Sequence, residues 1–363
     1  MPLVNGTDLG KPNTLLPLAC HLCLGQNGNL HRCSACRTVY YCGKECQVSD
    51  RRAHKKACKS VQRARAYHED EEKKLRWIPG DFPSPDRVFD AHVGRFWAIT
   101  ETRPYMRARY LLVDVLLLCF GRVGGSVLVV EEALAHLLDL MRLARKDQML
   151  LRQQVPSLYI RLGRDQEAYD FMKWFATTVE DPDYDWTDLD RPFLDVENAD
   201  VFEPLEMPWT RTRDLDLGQA VAMTLIKMRL LLDLEALQNV RVALRGTLPA
   251  EIIEMIRDNL VGRIVGARPG LLLAPPEVTV GLARTMKGQV RELHAAVQAN
   301  SPHLWKLLAA DPDSCKLEMP RMLHMYHKHG SRDEAMTTCW FSSAAWHETP
   351  GAVAMLRRLI QAG

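Results

Sequence analysis

The sequence predicts a mostly α-helical protein in which a small cysteine-rich module precedes a larger all-helical domain. Seven of the ten cysteines lie between Cys20 and Cys58. From Arg87 onward, apolar residues recur at three- and four-residue spacing, which is typical of amphipathic helices. No comparable stretch of the sequence alternates apolar and polar residues with the period of two that half-buried strands show. We therefore expect packed helices to supply most of the core.

Length and charge limit the classes of function. A chain of 363 residues, 47% of them hydrophobic, can bury more than one core. The net charge is only +2, so no overall positive charge attracts nucleic acid or an anionic membrane. The N-terminal residues have neither the basic start nor the apolar run of a signal peptide, so we expect reduced cysteines. These features predict an intracellular protein, in the nucleus, the cytoplasm or both.

The most apolar stretch, residues 110–130, has about the length of a membrane-spanning helix. Asp114 and Arg122 would each be costly in hydrocarbon. The glycines at 121, 124 and 125, followed by Ser126, indicate that one helix ends and a new helix begins. We therefore predict two buried helices joined by a tight turn, and no membrane association.

Four segments are predicted along the chain. Residues 1–18 lack periodicity and are expected to form a flexible tail. The cysteine-rich module occupies residues 20–58. Residues 59–86 begin as a charged helix and end in the proline-rich sequence IPGDFPSPD, which we interpret as a linker. Residues 87–363 form the all-helical domain, which an acidic loop interrupts at residues 180–204.

Two segments of the helical domain share a pattern. Residues 163–168 and 330–335 each place Gly and polar residues before a Glu-Ala pair that opens an aromatic-containing helix. The first of them is similar to helical hairpins of the tetratricopeptide type. No fixed period of about 34 residues accompanies it, and ordinary antiparallel helix packing explains the pattern equally well. Both alternatives predict an all-helical domain.

Eight candidate metal ligands lie in the cysteine-rich module at regular spacings. In chain order they are Cys20, Cys23, Cys33, Cys36, Cys42, Cys46, His54 and Cys58. Thiolate and imidazole are the ligands of tetrahedral structural zinc, and eight of them fill two sites without a position for water or substrate. A module of about 40 residues also needs metal in order to fold. We predict two structural zinc ions per chain. The spacing alone does not decide whether the two sites take their ligands sequentially or in an interleaved way.

Residues 20–58 resemble a MYND-type zinc finger over about a tenth of the chain. Every ligand and spacing matches, Tyr40 and Tyr41 precede Cys42, and Gln47 follows Cys46. The resemblance implies interleaved sites, one formed by Cys20, Cys23, Cys42 and Cys46 and the other by Cys33, Cys36, His54 and Cys58. It also implies a protein-interaction module, which in several transcriptional regulators holds short proline-containing peptides.

The candidate peptide groove, Gln47 and Arg51, departs from the family pattern at one position. The family commonly carries Trp three residues before the ligand histidine, where this chain has Arg51. A cation thus replaces the aromatic wall that could stack on proline, which weighs against proline-peptide binding. The region after residue 80, especially residues 158–174 and the acidic loop, is similar to fungal proteins that begin with this finger and have no established activity.

Three classes of function are considered: a protein-binding adaptor, an enzyme and a nucleic-acid-binding protein. MYND fingers also occur in SET-domain lysine methyltransferases, but only nineteen residues precede Cys20 and no Asn-His-Ser/Cys sequence follows. We therefore expect no enzyme; the alternative is a catalytic site in the helical domain that no motif reveals. A second alternative is nucleic-acid binding through the basic stretch in residues 51–65, although the acidic residues 69–72 follow it.

The prediction drawn from these features is a zinc-binding adaptor or regulator with structural zinc only, acting in transcriptional control. Its expected partners are other proteins, bound through the finger and the helical domain.

Overall fold

The computed structural model describes residues 14–26, 28–77, 88–178, 181–186, 188–211, 215–244, 252–312 and 327–362. Thirteen α-helices and one two-stranded sheet lie within these residues, which confirms the predicted, mostly helical fold. The described chain divides into two compact units. The finger unit comprises residues 14–151 and 185–193, and the helical unit comprises residues 152–184 and 194–362.

The finger unit contains β1 (His31–Arg32), β2 (Tyr40–Tyr41), α1 (Lys44–Arg76), α2 (Val88–Ala91), α3 (Arg103–Phe120) and α4 (Val127–Leu143). The two strands pair antiparallel to form a short hairpin. The helix α1 begins inside the finger and runs for 33 residues, because neither Gly nor Pro interrupts this part of the sequence. Ion pairs one helical turn apart, such as Asp70 with Lys74 at 2.7 Å, support its C-terminal half.

The compact units do not divide where the sequence places its domain boundaries. The end of the predicted finger, at residue 58, and the charged helix that follows it belong to the single helix α1. Because α1 packs against α3, residues 88–151 of the predicted helical domain belong to the finger unit. The predicted proline-rich joint at residues 78–86 lies outside the described residues.

The apolar stretch at residues 110–130 forms the end of α3, a tight turn and the start of α4, as predicted. A Cβ atom at Gly125 would lie 2.5 Å from the carbonyl oxygen of Phe120, so this turn requires glycine. Both carboxylate oxygens of Asp114 are buried, and no described residue forms a hydrogen bond with them. Burial raises the pKa of this carboxyl well above its usual range. Among the described residues, no helix is long and apolar enough to cross a membrane.

The segment that was predicted as a flexible tail is ordered at its C-terminal end. The backbone N–H of Leu16 donates to the carbonyl of Gly125 at 2.8 Å, and the N–H of Val127 donates to the carbonyl of Leu16 at 2.9 Å. These bonds attach residues 14–18 to the turn between α3 and α4. Sequence periodicity did not reveal them because they join backbone groups that lie more than 100 residues apart in the chain. Residues 1–13 lie outside the described residues.

The helical unit contains α5 (Val155–Arg161), α6 (Asp165–Thr178), α7 (Leu217–Ala243), α8 (Ile253–Asp258), α9 (Pro269–Leu272), α10 (Pro276–Asn300), α11 (Leu304–Leu308), α12 (Arg332–Glu348) and α13 (Ala352–Ala362). The long helix α7 packs against α5, α6, α10, α12 and α13, so its residues 217–231 are all buried. A helix that is covered on every side forms the centre of the core. The tetratricopeptide-like pairing stays a prediction.

Side chains of α6 and of Arg145, which lies just after α4, hold the acidic loop in place. In the helical unit, the carboxylate of Asp170 accepts hydrogen bonds from the N–H groups of Asn198 and Ala199, each at 2.9 Å. In the finger unit, the Arg145 guanidinium donates to backbone carbonyls of the loop, including that of Leu189 at 3.0 Å, and lies 5.0 Å from the ring of Phe193. Ring contacts add to these hydrogen bonds, since the ring of Tyr184 lies 5.8 Å from that of Trp174 in α6. Polar and aromatic contacts together hold the described parts of the loop.

Lys227 is the one lysine of α7 and is fully buried in the helical unit. Its ammonium group donates to the carbonyl of Val201 at 2.5 Å and lies 5.1 Å from the ring centre of Tyr169. Burial lowers the pKa of Lys227 to about 8. Folding therefore disfavours the charged form of this side chain.

We predict that the wild-type protein gains stability relative to the Lys227→Met variant as the pH rises. An unfolded lysine has a pKa of about 10.4, so between pH 8 and that value the unfolded chain binds more protons than the folded chain. The folded state therefore becomes more stable across this window, by about 2 kcal/mol between pH 7.5 and 9.5. Thermal melting of both proteins at the two pH values measures the difference. An unchanged difference between wild type and variant contradicts the prediction.

Candidate metal centres

The two Cys-x2-Cys pairs of the finger lie on closely similar turns. In the first, the N–H of Leu24 donates to the carbonyl of Cys20 at 2.9 Å; in the second, the N–H of Arg37 donates to the carbonyl of Cys33 at the same distance. Leu24 and Arg37 adopt φ angles of 60° and 54°. Each turn brings two sulfur atoms together on one side of the chain, which is the arrangement that a tetrahedral metal requires.

The helix α1 supplies ligands to both clusters. Residues four apart lie on the same side of a helix, so one side of α1 carries a row of polar side chains. This row consists of Cys46, Asp50, His54 and Cys58. A single rigid helix therefore sets the distance between the two clusters.

The structure brings the eight predicted ligands together as two interleaved groups. The first group is Cys20, Cys23, Cys42 and Cys46, and the second is Cys33, Cys36, His54 and Cys58. Within each group, all ligand atoms lie within 4.8 Å of one another. This grouping is the one that the family resemblance implied and that spacing alone left open.

The distances between ligand atoms fit tetrahedral zinc. In the first cluster, the Sγ atoms of Cys23 and Cys42 are 3.7 Å apart. In the second, the Sγ of Cys36 lies 3.6 Å from Nε2 of His54. Ligands at the usual zinc–sulfur and zinc–nitrogen lengths stand about 3.5–3.8 Å apart at the corners of a tetrahedron. Both clusters therefore have the donor set and the dimensions for one zinc ion each.

Electrostatics within the clusters also favours a bound cation. Although burial opposes it, backbone N–H groups lower the pKa of the Cys20 thiol to about 6. The neighbouring Cys42 side chain and burial raise the pKa of Cys46 to about 12, and burial with the nearby Cys36 and Cys33 raises the pKa of Cys58 to about 12. Neighbouring thiolates repel one another, so each ionised thiol makes the next harder to ionise. A bound divalent metal ion offsets this repulsion. Burial also lowers the pKa of His54, which keeps the imidazole neutral, as a metal ligand must be.

Asp50 lies between the two clusters, at a position where the sequence predicted no functional residue. Its carboxylate is buried, accepts a hydrogen bond from the Tyr41 hydroxyl at 2.7 Å and lies 3.7 Å from Nε2 of His21. Through Tyr41, the neighbour of the ligand Cys42, Asp50 fixes the end of β2 to α1, while Nδ1 of His54 has no hydrogen-bond partner among the described residues. The local signal was the position of Asp50, four residues from both Cys46 and His54 on the ligand side of α1.

Arg65 joins the finger to α4, which is also beyond what the sequence revealed. Its guanidinium donates to the carbonyl of Cys36 at 2.8 Å and to the hydroxyl of Thr38 at 3.2 Å. It also forms an ion pair with Glu132 of α4 at 2.6 Å. Although burial opposes it, hydrogen bonds from His136 and Arg65 lower the pKa of Glu132 to about 2. Arg65 thus fixes the second Cys-x2-Cys turn to α4, through a contact between residues 67 positions apart in the chain.

The finger shares a hydrophobic core with α3 and α4. Ligand residues of both clusters, including Cys20 and Cys36, are buried together with Leu112 and Leu116 of α3 and Val129 of α4. The ring of Phe120, the last residue of α3, lies 5.6 Å from the His54 ring. The second cluster is the more buried of the two, because Cys23 and Cys42 of the first are exposed. The finger is therefore part of a larger packed unit.

The candidate groove residues Gln47 and Arg51 are both exposed and lie one turn apart on α1. No side-chain hydrogen bond or ion pair engages either of them within the described part of the chain. Their role in peptide binding stays a prediction.

Comparison with known proteins identifies the finger. Residues 20–58 match the protein family described as "MYND finger". "SET domain-containing protein 14" of Caenorhabditis elegans is 45% identical over 42 residues, which are 12% of this chain and 10% of that protein. "Histone-lysine N-methyltransferase ASHR1" of Arabidopsis thaliana is 40% identical over 130 residues, which are 36% of this chain and 25% of that protein. No solved structure matches the chain.

These relatives correct one prediction. The expectation that the protein is not an enzyme is wrong, because the names of both relatives describe SET-domain or methyltransferase proteins. The expectation failed because closed coordination excludes catalysis only at the metal and says nothing of the other residues. The chain matches only a tenth of one relative's length and a quarter of the other's.

With its eight ligands in two interleaved clusters that fit zinc, the segment from Cys20 to Cys58 is a MYND-type zinc finger.

Proposed function

We propose that the protein is an adaptor or regulator whose MYND finger binds other proteins, with a role in transcriptional control. The observation that carries this proposal is the closure of both metal clusters by four protein ligands each. Such metal sites shape and stabilise a surface. The membership of the finger in a family of protein-interaction modules supports a protein as the partner.

The packing of the finger supports the same function. Because the clusters share a core with α3 and α4, the finger presents its exposed residues from a rigid base. A rigid surface loses little conformational freedom when a partner binds, which favours affinity. Exposed residues at the start of α1, such as Gln47 and Val48, are available for contact.

Affinity capture with the full chain tests this proposal. The Cys42→Ala variant removes an exposed ligand of the first cluster and is expected to lose partners that the wild type retains. The His54→Cys variant is the control, because a site of four cysteines still binds zinc and should keep those partners. Partners that bind the wild type and Cys42→Ala equally would show that the finger is not the binding element.

The proposed role in transcription needs a separate measurement. The full chain, tethered to a promoter through a fused DNA-binding domain, is expected to change reporter expression, and Cys42→Ala is expected to abolish the change. The proposed compartments are the nucleus and the cytoplasm, since reduced thiols are needed to bind zinc. Equal reporter output with and without the protein contradicts a transcriptional role.

A further inference from the structure

The exposed side of α1 carries a concentrated positive charge. We call this the basic face; it consists of Arg51, Arg52, Lys55, Lys56, Lys59 and Arg63. All six side chains are exposed, and within the described residues none of them forms an ion pair. They lie away from the buried side of α1 that holds the metal ligands His54 and Cys58.

The acidic residues that follow in α1 do not neutralise the basic face. The sequence suggested that they would oppose the binding of an anion. In the structure, Glu69 pairs with Arg37 of the finger, and Glu72 pairs with Arg76 at 2.8 Å. The ammonium nitrogen of Lys74 lies 2.7 Å from a carboxylate oxygen of Asp70 and 2.8 Å from one of Glu71. The acidic half of the helix is thus compensated by other cations, and the basic face is left to attract an anionic partner.

The spacing of the basic face fits an extended peptide. Residues four apart in a helix rise by about 6 Å and are offset by about 40° round the axis, so Lys55, Lys59 and Arg63 form a gradually winding row at that interval. In an extended chain, side chains on one side recur every two residues, or about 6.7 Å. Carboxylates at alternate positions of a peptide can therefore pair with successive cations of the row.

An exposed apolar residue at the end of the row favours a protein over a nucleic acid. The side chain of Val48 is 61% exposed and lies one turn before Arg51 and Arg52. A phosphate backbone offers no apolar group to cover it, whereas a peptide can place an aliphatic side chain there. At the other end of the row, Tyr67 lies one turn after Arg63 and is 43% exposed, so a single ring is available to stack on a base and the DNA arm of the test below is needed.

We propose that the basic face binds an extended acidic segment of a partner protein, with carboxylates at alternate positions and an aliphatic side chain against Val48. This inference rests on the proposed function of the finger and names the chemistry of its partner. Arg51, at the place where the family commonly has Trp, then belongs to a surface for acidic segments.

The test uses the zinc-loaded full chain and a fluorescent peptide of one leucine followed by four Glu-Ser repeats. Fluorescence anisotropy at low salt is expected to show binding that weakens as salt is added. The triple variant Lys55→Gln/Lys59→Gln/Arg63→Gln should bind about tenfold more weakly. The matched control, Arg284→Gln/Lys287→Gln/Arg291→Gln on the exposed side of α10, removes as many charges and should bind as the wild type does. Circular dichroism and zinc content should be unchanged in both variants.

Further arms separate the alternatives. A peptide with Gln in place of Glu is expected not to bind, and Val48→Ser should weaken only peptides that contain the leucine. Equal binding by the wild type and the basic-face variant would overturn the proposal. Tighter binding of a 20-base-pair DNA duplex than of the peptide, lost in the same variant, would assign the face to nucleic acid instead. If the basic-face variant keeps the captured partners that Cys42→Ala loses, the proposed function stands and this inference fails.

Discussion

Replacing Cys36 with alanine is expected to unfold much of the finger unit, whereas replacing Cys23 is expected to leave α3 and α4 packed. Cys36 is buried in the core that the finger shares with Leu112 and Leu116. Structural zinc contributes about 10–16 kcal/mol in zinc-finger peptides, which is as large as the net stability of a whole domain. Cys23 is exposed at the other cluster, so its loss affects fewer buried contacts.

Zinc content and hydrogen exchange measure these effects. The wild type should bind two zinc ions per chain, and each variant should lose one. The backbone amides of α3 near Leu112 should exchange rapidly in Cys36→Ala and stay protected in Cys23→Ala. The control is Cys339→Ala, which removes a buried thiol of α12 outside the finger and should keep both zinc ions. If the amides of α3 exchange equally slowly in Cys36→Ala and Cys23→Ala, the packing of the shared core does not depend on the second zinc, and the prediction is wrong.

The Arg65→Ala variant is expected to be less stable than the wild type by about 3–5 kcal/mol, because it breaks a largely buried ion pair. The change leaves Glu132 without its main cationic partner and removes a donor from the carbonyl of Cys36. Arg65→Lys keeps the charge but cannot reach all the acceptors at once, so it should be intermediate. Chemical denaturation of the zinc-loaded chain measures the free energy of unfolding.

Arg63→Ala supplies the matched control. Arg63 is exposed and has no ion pair among the described residues, so its replacement should change stability by no more than about 0.5 kcal/mol. A double-mutant cycle with Glu132→Ala isolates the energy of the pair. Similar stability of the Arg65→Ala and Arg63→Ala variants would show that Arg65 does not join the finger to α4.

Local features of the fold were predictable where the chemistry depends on short spacings. The turn at Gly125 and the row of ligands on α1 each require particular residue types within a few positions. The domain boundary was less predictable, because an uninterrupted helix carries the chain out of the finger and against α3. Local periodicity shows that a helix continues, but not what it packs against.

The sequence by itself determined the eight metal ligands, the number of metal clusters and the helical class of the fold, since thiolates at fixed spacings and helical periodicity are local properties. Only the tertiary structure decided that Asp50 lies between the clusters, that Arg65 pairs with Glu132 and that Lys227 is buried. These features depend on contacts between residues far apart in the chain. The positive charge of the basic face was visible in the sequence. Only the structure showed that the acidic residues after it pair with other cations, Glu69 with Arg37 and Asp70 with Lys74, and so do not neutralise the basic face.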